Sequence, residues 1–194
     1  MHLSLKTKMK GVFNRPALLL TLSLAWFGPA ATSHAQVYYT VRGLLAEQFH
    51  QSKRVDFQRV QLSAGRRGQI ERELGQKLRE APYIFYVARS ADQIDGYALF
   101  DRELGQHEYI DLATFFDAEG RVTRVEVVAY REPYGDGIRS KRFRKQFVGK
   151  GAASGFKPGH DIDVISGATI SARALTKAVK RATLLLHDTL LTSS

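Results

Sequence analysis

Hydrophobic residues recur every three or four positions along the last part of the chain. The apolar positions are Ala168, Ala172, Leu175, Val179, Ala182, Leu186 and Leu190. This spacing matches the 3.6-residue period of an α-helix, so it predicts a long amphipathic helix with one buried stripe. Four basic residues are predicted to lie off this stripe: Arg173, Lys177, Lys180 and Arg181.

Earlier stretches have the apolar or alternating composition of β-strands. They are Arg54–Leu62, Tyr83–Ala88, Ile94–Phe100, Tyr109–Phe116 and Val122–Tyr130. Most of their connections are short, and Asp117–Gly120 has turn-forming residues. Parallel strands would need crossovers of about a dozen residues or more, so antiparallel pairing is expected. The sheet is therefore predicted to be mainly a meander.

Three further segments are predicted to be helical. Val41–Phe49 precedes the strands, Ser63 can cap a polar helix over Arg66–Leu78, and the basic segment Ile138–Val148 follows the sheet. A glycine-rich link, Gly149–Gly159, leads to the last helix. Helices that flank a run of strands indicate an α+β fold, with a mainly antiparallel sheet and a long C-terminal amphipathic helix.

The first 35 residues have the pattern of a secretory signal peptide. Four basic residues precede the apolar run Ala17–Phe27, and Ser33, His34 and Ala35 form an A-x-A-like cleavage site. A retained membrane anchor is the alternative, although the apolar run is shorter than the span of about 20 residues that a bilayer needs. Cleavage would leave residues 36–194 as a single domain.

The charge balance bears on possible partners. Removing the basic leader leaves 25 Lys plus Arg against 19 Asp plus Glu, so the net charge falls from +10 to +6. This moderate excess favours acidic proteins, anionic membranes or phosphate-bearing ligands over nucleic acid. The basic stretch Arg139–Lys145 is either a solvated helix face or a docking patch for an acidic cytochrome or a membrane.

Cysteine is absent, which excludes disulfides, thiolate zinc sites, iron–sulfur clusters and covalent haem attachment through cysteine. No close metal-ligand spacing connects His50, His107, His160 and His187, so no metal site is expected. Redox chemistry would therefore require an organic cofactor.

Small residues stand directly before the last helix, in the string Asp163-Val164-Ile165-Ser166-Gly167-Ala168-Thr169. Ser166 can act as the N-cap, while Gly167 and Ala168 leave the backbone uncovered. Free amide groups and the positive end of the helix dipole would then meet at Thr169, which suits an anion such as phosphate. An ordinary serine-capped helix start explains the same spacing.

The complete string, with Ser171 two positions after Thr169, closely resembles the D-x-x-(S/T)-G-A-T-x-(S/T) signature of the FMN-binding domain family. This family includes flavin-carrying subunits of sodium-pumping NADH:quinone reductase and of Rnf-type complexes. Glu108–Gly135 and the Q-F-x-G-K-like Lys145–Lys150 extend the resemblance. It places the core of the domain at residues 108–190, after an N-terminal extension. Ala172 departs from the pattern, because many members have a second serine there.

The resemblance implies that a flavin transferase joins FMN to Thr169 through a phosphodiester. Asp163 would help to present the threonine, and the remaining motif residues would line the phosphate: Ser166, Gly167, Ala168 and Ser171. Glu132 and Tyr134 would border the flavin ring, although a strand-end charge and an ordinary turn aromatic explain them equally well. No residue is assigned a catalytic role.

Two functions of different classes follow. The first is an exported, periplasmic electron carrier or oxidoreductase subunit, whose covalent FMN exchanges electrons with cytochromes or a membrane oxidoreductase. The second is a non-redox exported module that docks a partner or lipid through its basic face. The intact Thr169 favours the first.

Overall fold

The computed structural model describes residues 36–192, which belong to one compact unit of the chain. The predicted signal peptide lies outside the described residues. Within residues 36–192, no helix is long and apolar enough to cross a bilayer.

Six strands form a single antiparallel sheet. They are β1 (Gln36–Val37), β2 (Arg54–Val60), β3 (Tyr83–Ser90), β4 (Gln93–Leu104), β5 (Tyr109–Phe116) and β6 (Val122–Tyr130). The strand order is β1-β6-β5-β4-β3-β2, so every strand from β2 to β6 pairs with its neighbour in sequence. The predicted meander and the α+β class are confirmed. The short β1, which the sequence did not predict, pairs Gln36 with Tyr130 at the edge of the sheet.

Within residues 36–192, four α-helices accompany the sheet: α1 (Val41–Gln48), α2 (Ala64–Leu74), α3 (Lys141–Lys145) and α4 (Thr169–Leu186). Ser63 caps α2 as predicted, accepting a hydrogen bond from the Arg66 amide. The predicted end of this helix at Leu78 is wrong, because Gly75 adopts a left-handed backbone with φ of 66° and terminates it.

The basic segment 138–148 is not one helix, contrary to the prediction. A 3-10 turn, Asp136–Arg139, is followed by the short α3. Ser140 separates them in an extended conformation, and its side chain accepts a hydrogen bond from the Phe143 amide. The serine therefore starts a new helix where the predicted one would continue.

The two faces of the sheet pack against different helices. Alternate residues of β5 show this division, because Ile110 and Leu112 belong to the large core that includes α4. Ala113 and Phe115 point to the opposite face, where they pack with Leu44 of α1. A π-helical turn, His187–Leu191, follows α4. Every predicted stripe residue from Ala168 to Leu190 is buried.

Arg181 is an exception to the predicted polar face of α4, since it is only 5% exposed. Its guanidinium donates to Asp101 at 2.8 Å, forms an ion pair with Glu103, and donates to the Arg102 carbonyl at 3.0 Å. β4 extends to Leu104, beyond the predicted Phe100, because residues 101–104 continue the pairing with β5 from Leu112 to Tyr109. Asp101 and Glu103 of this extension pair with Arg181 of α4.

Candidate functional site

The motif loop, residues 163–168, leads into α4. A side chain from the segment after α3 holds the start of this loop. The Asp163 amide donates to Gln146 Oε1 at 2.7 Å. Beyond this contact Asp163, Ser166 and Gly167 are exposed. Gly167 has φ of +77°, and a Cβ at this position would meet no atom within 4 Å. The loop therefore makes a left-handed turn beside open space just before the helix.

The prediction that Ser166 is the N-cap of α4 is wrong. Ala168 occupies the N-cap position and provides no side-chain cap hydrogen bond. The left-handed Gly167 turns the chain after Ser166, and the Ala168 amide donates back to the Ile165 carbonyl at 3.0 Å. The helical ladder then starts with the Ala172 amide, which donates to the Ala168 carbonyl at 2.8 Å.

Thr169 is the first residue of α4 and is half-buried. Its Oγ1 donates a long hydrogen bond of 3.3 Å to the Ile165 carbonyl, which leaves the lone pairs of the oxygen available. The amides of the first helical turn lie ahead of the ladder, at the positive end of the dipole of an 18-residue helix. An uncapped helix start, a hydroxyl and an adjacent glycine fit a phosphate ester.

A buried tyrosine connects the motif helix to the loop after β6. Tyr130 Oη donates to the Tyr134 carbonyl at 2.5 Å and lies 2.9 Å from Ser171 Oγ. Because the single phenolic proton goes to the carbonyl, the Ser171 hydroxyl is the donor to Tyr130. Burial raises the pKa of the Tyr130 phenol, so the donor stays protonated at neutral pH.

The loop after β6 contacts α4 closely. A Cβ at Gly135 would lie 2.5 Å from Ser171 Oγ, so only glycine lets the two segments approach this far. Ser171 itself is 5% exposed, and its hydroxyl faces Tyr130. This contact places Tyr134, which is 83% exposed, beside the start of the motif helix. Two stretches that the sequence analysis assigned to one site are therefore neighbours in the fold.

Glu132 faces the β4–β5 turn. Its Oε1 accepts hydrogen bonds from the amides of His107 at 2.7 Å and Glu108 at 3.0 Å. Burial alone would raise the pKa of this carboxyl, but the backbone donors outweigh the desolvation and lower it. Glu132 thus anchors the turn as a carboxylate, and its role beside a flavin ring stays a prediction.

Two clefts flank the motif. One, of about 500 Å³, lies between α3 and the motif loop, and its charged lining residues are Arg142 and Asp163. The other, of about 630 Å³, runs along α4, and its lining includes Arg173, Lys177 and Lys180. Both are large enough to receive part of a nucleotide-sized ligand.

Two arginines of the basic segment that was predicted as a docking patch contact other parts of the fold. Arg144 forms an ion pair with Glu126 and donates to the Val125 carbonyl at 2.7 Å. Arg139 lies over the Tyr38 ring, 3.5 Å from its centroid. These two arginines have a structural role in the fold.

The contacts of Tyr130 with Ser171 and of Gln146 with Asp163 were not predicted from the sequence. Gln146 lies within the Q-F-x-G-K-like segment, so the resemblance marked the region without indicating its contact with Asp163. Tyr130 ends an apolar strand, and nothing in a strand pattern shows that its hydroxyl reaches Ser171.

Comparison with known proteins gives one family match. Residues 105–183 match the family model described as the FMN-binding domain. The match includes β5, β6, the loop after β6 and the motif helix up to Thr183. No curated protein matches the chain. Over residues 105–183 the chain is therefore similar to the FMN-binding domain family.

Proposed function

We propose that this protein is an exported electron-transfer flavoprotein whose FMN is attached covalently to Thr169. The observation that carries the proposal is the uncapped start of α4, where the Thr169 hydroxyl and the free amides of one helical turn meet beside Gly167. Phosphate esters bind well at such a helix start. The bound flavin would supply reversible uptake of electrons, and the protein supplies attachment and orientation.

Each motif residue has a distinct part in this proposal. The Thr169 oxygen forms the ester bond to the flavin phosphate, with net loss of one water. The amide hydrogen bond of Asp163 to Gln146 fixes the entry of the loop, so that the Asp163 carboxylate helps to present the threonine. Ser166, Gly167 and Ala168 leave room for the phosphate, and Ser171 fixes the helix start through Tyr130.

Covalent attachment suits an exported protein. A cofactor held by an ester bond has no dissociation equilibrium, so an exported protein retains it without a pool of free FMN. The electrons would pass to and from other proteins, such as cytochromes or a membrane oxidoreductase. Maturation would require a flavin transferase.

Substitution of Thr169 tests the attachment. When a flavin transferase is co-expressed, the denatured parent should show the added mass of FMN less one water, and Thr169→Ala should lose both this mass and the yellow colour. Thr169→Ser, which keeps a hydroxyl, is the matched control and should retain part of the loading. Covalent flavin that persists in Thr169→Ala would contradict the proposal.

Export is tested separately by the mature N-terminus. We expect terminal sequencing of the exported protein to begin at Gln36, the residue after the predicted cleavage site. A mature protein that still begins at Met1 would favour the retained anchor.

A further inference from the structure

The cleft of about 630 Å³ shares a face of α4 with Thr169. Arg173 follows Thr169 by four residues, and Lys177 follows Arg173 by four, so all three lie on one side of the helix. Arg173 is about 6 Å from Thr169 along the helix axis. Helical side chains lean toward the N-terminus of their helix, so we expect the Arg173 side chain to lean toward the turn that begins at Thr169.

Two of the cleft's lysines are already paired. Lys177 Nζ lies 3.4 Å from Glu103 Oε1. Lys180 Nζ lies 3.6 Å from Glu73 Oε1 and donates to the Glu73 carbonyl at 3.0 Å. These two cations are therefore largely neutralised by the protein.

The carboxylate of Asp161, which also lines the cleft, is occupied within its own loop. It accepts hydrogen bonds from the Lys157 amide at 2.8 Å and pairs with the His160 ring at 2.8 Å. Both contacts lower the pKa of Asp161, the His160 contact more strongly. Gly155 permits this arrangement, because a Cβ there would clash with the Asp161 carboxylate.

The cleft is lined by two further cationic side chains. Lys157 and Arg173 are exposed, and among the described residues neither side chain forms an ion pair. Phe156 and Leu74 add apolar surface to the same walls. The cleft thus combines an apolar lining with two uncompensated positive charges. The cleft next to α3, by contrast, is lined by one cationic and one anionic residue, Arg142 and Asp163.

We propose that the cleft along α4 receives the isoalloxazine ring of the FMN attached to Thr169, and that Lys157 and Arg173 stabilise the reduced ring. This inference rests on the proposed function. Two electrons from a reductant and one proton from solvent convert the oxidised ring into its anionic reduced form, which has one more negative charge. Cations beside the ring favour that form over the oxidised one.

A redox titration of the loaded protein with dithionite tests the inference. In Lys157→Gln/Arg173→Gln, we expect the ratio of reduced to oxidised flavin at a fixed potential to fall about tenfold. For a two-electron couple this equals a midpoint potential about 30 mV lower. Added salt should shrink the difference, since both cations are exposed. The midpoint potential does not depend on the fraction of molecules that carry FMN, so it can still be measured when a variant is only partly loaded.

Arg142→Gln is the matched control, because it removes the same charge from the other cleft. We expect it to change the ratio by less than threefold. If the double variant keeps the parent's midpoint potential, or if Arg142→Gln changes it as much, the inference is wrong while the attachment to Thr169 stands. A parent without covalent FMN would instead contradict the proposed function, and this inference with it.

Discussion

The first turn of α4 and the remainder of the helix differ in how the protein uses them. Leu175 and Val179 are fully buried, and the helix body packs on the sheet. At the first turn, by contrast, Ile170 is 48% exposed and the N-cap Ala168 provides no side-chain hydrogen bond. The body holds the helix in place, and this leaves its N-terminus free to bind a ligand.

Energetics explain why the division is possible. Burial of one leucine or valine side chain contributes about 1.5–3 kcal/mol, and the helix body buries several. A missing N-cap costs about 1 kcal/mol. The body can offset that loss, so the first turn need not contribute to stability. Changes in the two regions should therefore separate stability from flavin loading.

The largest effect on stability is expected when the ion pairs that Arg181 forms with β4 are removed. Arg181→Ala leaves the buried carboxylate of Asp101 without its ion-pair partner and leaves Glu103 with Lys177 as its cationic partner. We expect the free energy of unfolding to fall by about 3–5 kcal/mol, measured by urea unfolding of the apo form. Lys180→Ala, which breaks an exposed pair with Glu73, should cost less than about 1 kcal/mol. Equal losses in the two variants would contradict the anchoring role.

Gly167 tests the opposite end of the comparison. Its φ of +77° strains a β-branched residue, so Gly167→Val should fold with a loss of about 1–3 kcal/mol and accept little FMN. Gly167→Asn tolerates the left-handed backbone better and separates strain from crowding. We expect this variant to melt near the parent but still to load poorly, because its Cβ stands beside the ester.

In-gel flavin fluorescence beside the melting curve of each apo variant measures both effects. If Gly167→Val and Gly167→Asn load as fully as the parent, the open turn has no part in attachment. If both variants unfold, Gly167 is required for the fold itself.

These two regions also show what the sequence could predict. The apolar period gave the helix body and its buried stripe correctly, because packing repeats every turn. Arg181 escaped prediction, since its partners Asp101 and Glu103 are about 80 residues away in sequence. The cap assignment failed at Ser166 because the local pattern does not show that Gly167 is left-handed. The sequence therefore predicted the helix and its buried stripe but not the hydrogen bonds at the helix start.

Glu132 tests how the loop after β6, which lies beside the first turn of α4, contributes to stability. Its folded-state pKa lies below the ordinary value of 4.5, so the ionised carboxylate stabilises the fold above that pH. This stability is lost as pH falls through the lower folded pKa. Glu132→Gln should therefore be about 1 kcal/mol less stable at pH 7. The gap should narrow below about pH 4.5 in unfolding curves; a constant gap would contradict the role of the charge.

The smallest effect on stability is expected at Gln146. Gln146→Met keeps the side-chain length but removes the acceptor for the Asp163 amide. Unfolding should change by about 1 kcal/mol or less, while FMN loading should slow several-fold because the loop entry is no longer fixed. Gln146→Glu, which keeps an acceptor oxygen, should load faster than Gln146→Met.

Asp163→Ala should also lower loading while leaving the apo melting curve near the parent's. A time course of co-expressed transferase activity measures the loading of each variant.

The central claim is that Thr169 carries the flavin, and tandem mass spectrometry of protein purified from its native compartment tests it most directly. The proteolytic peptide that contains residues 163–173 should carry the mass of FMN less one water, with fragment ions that locate it on Thr169. An unmodified peptide from a yellow protein, or flavin located on another residue, would contradict the account.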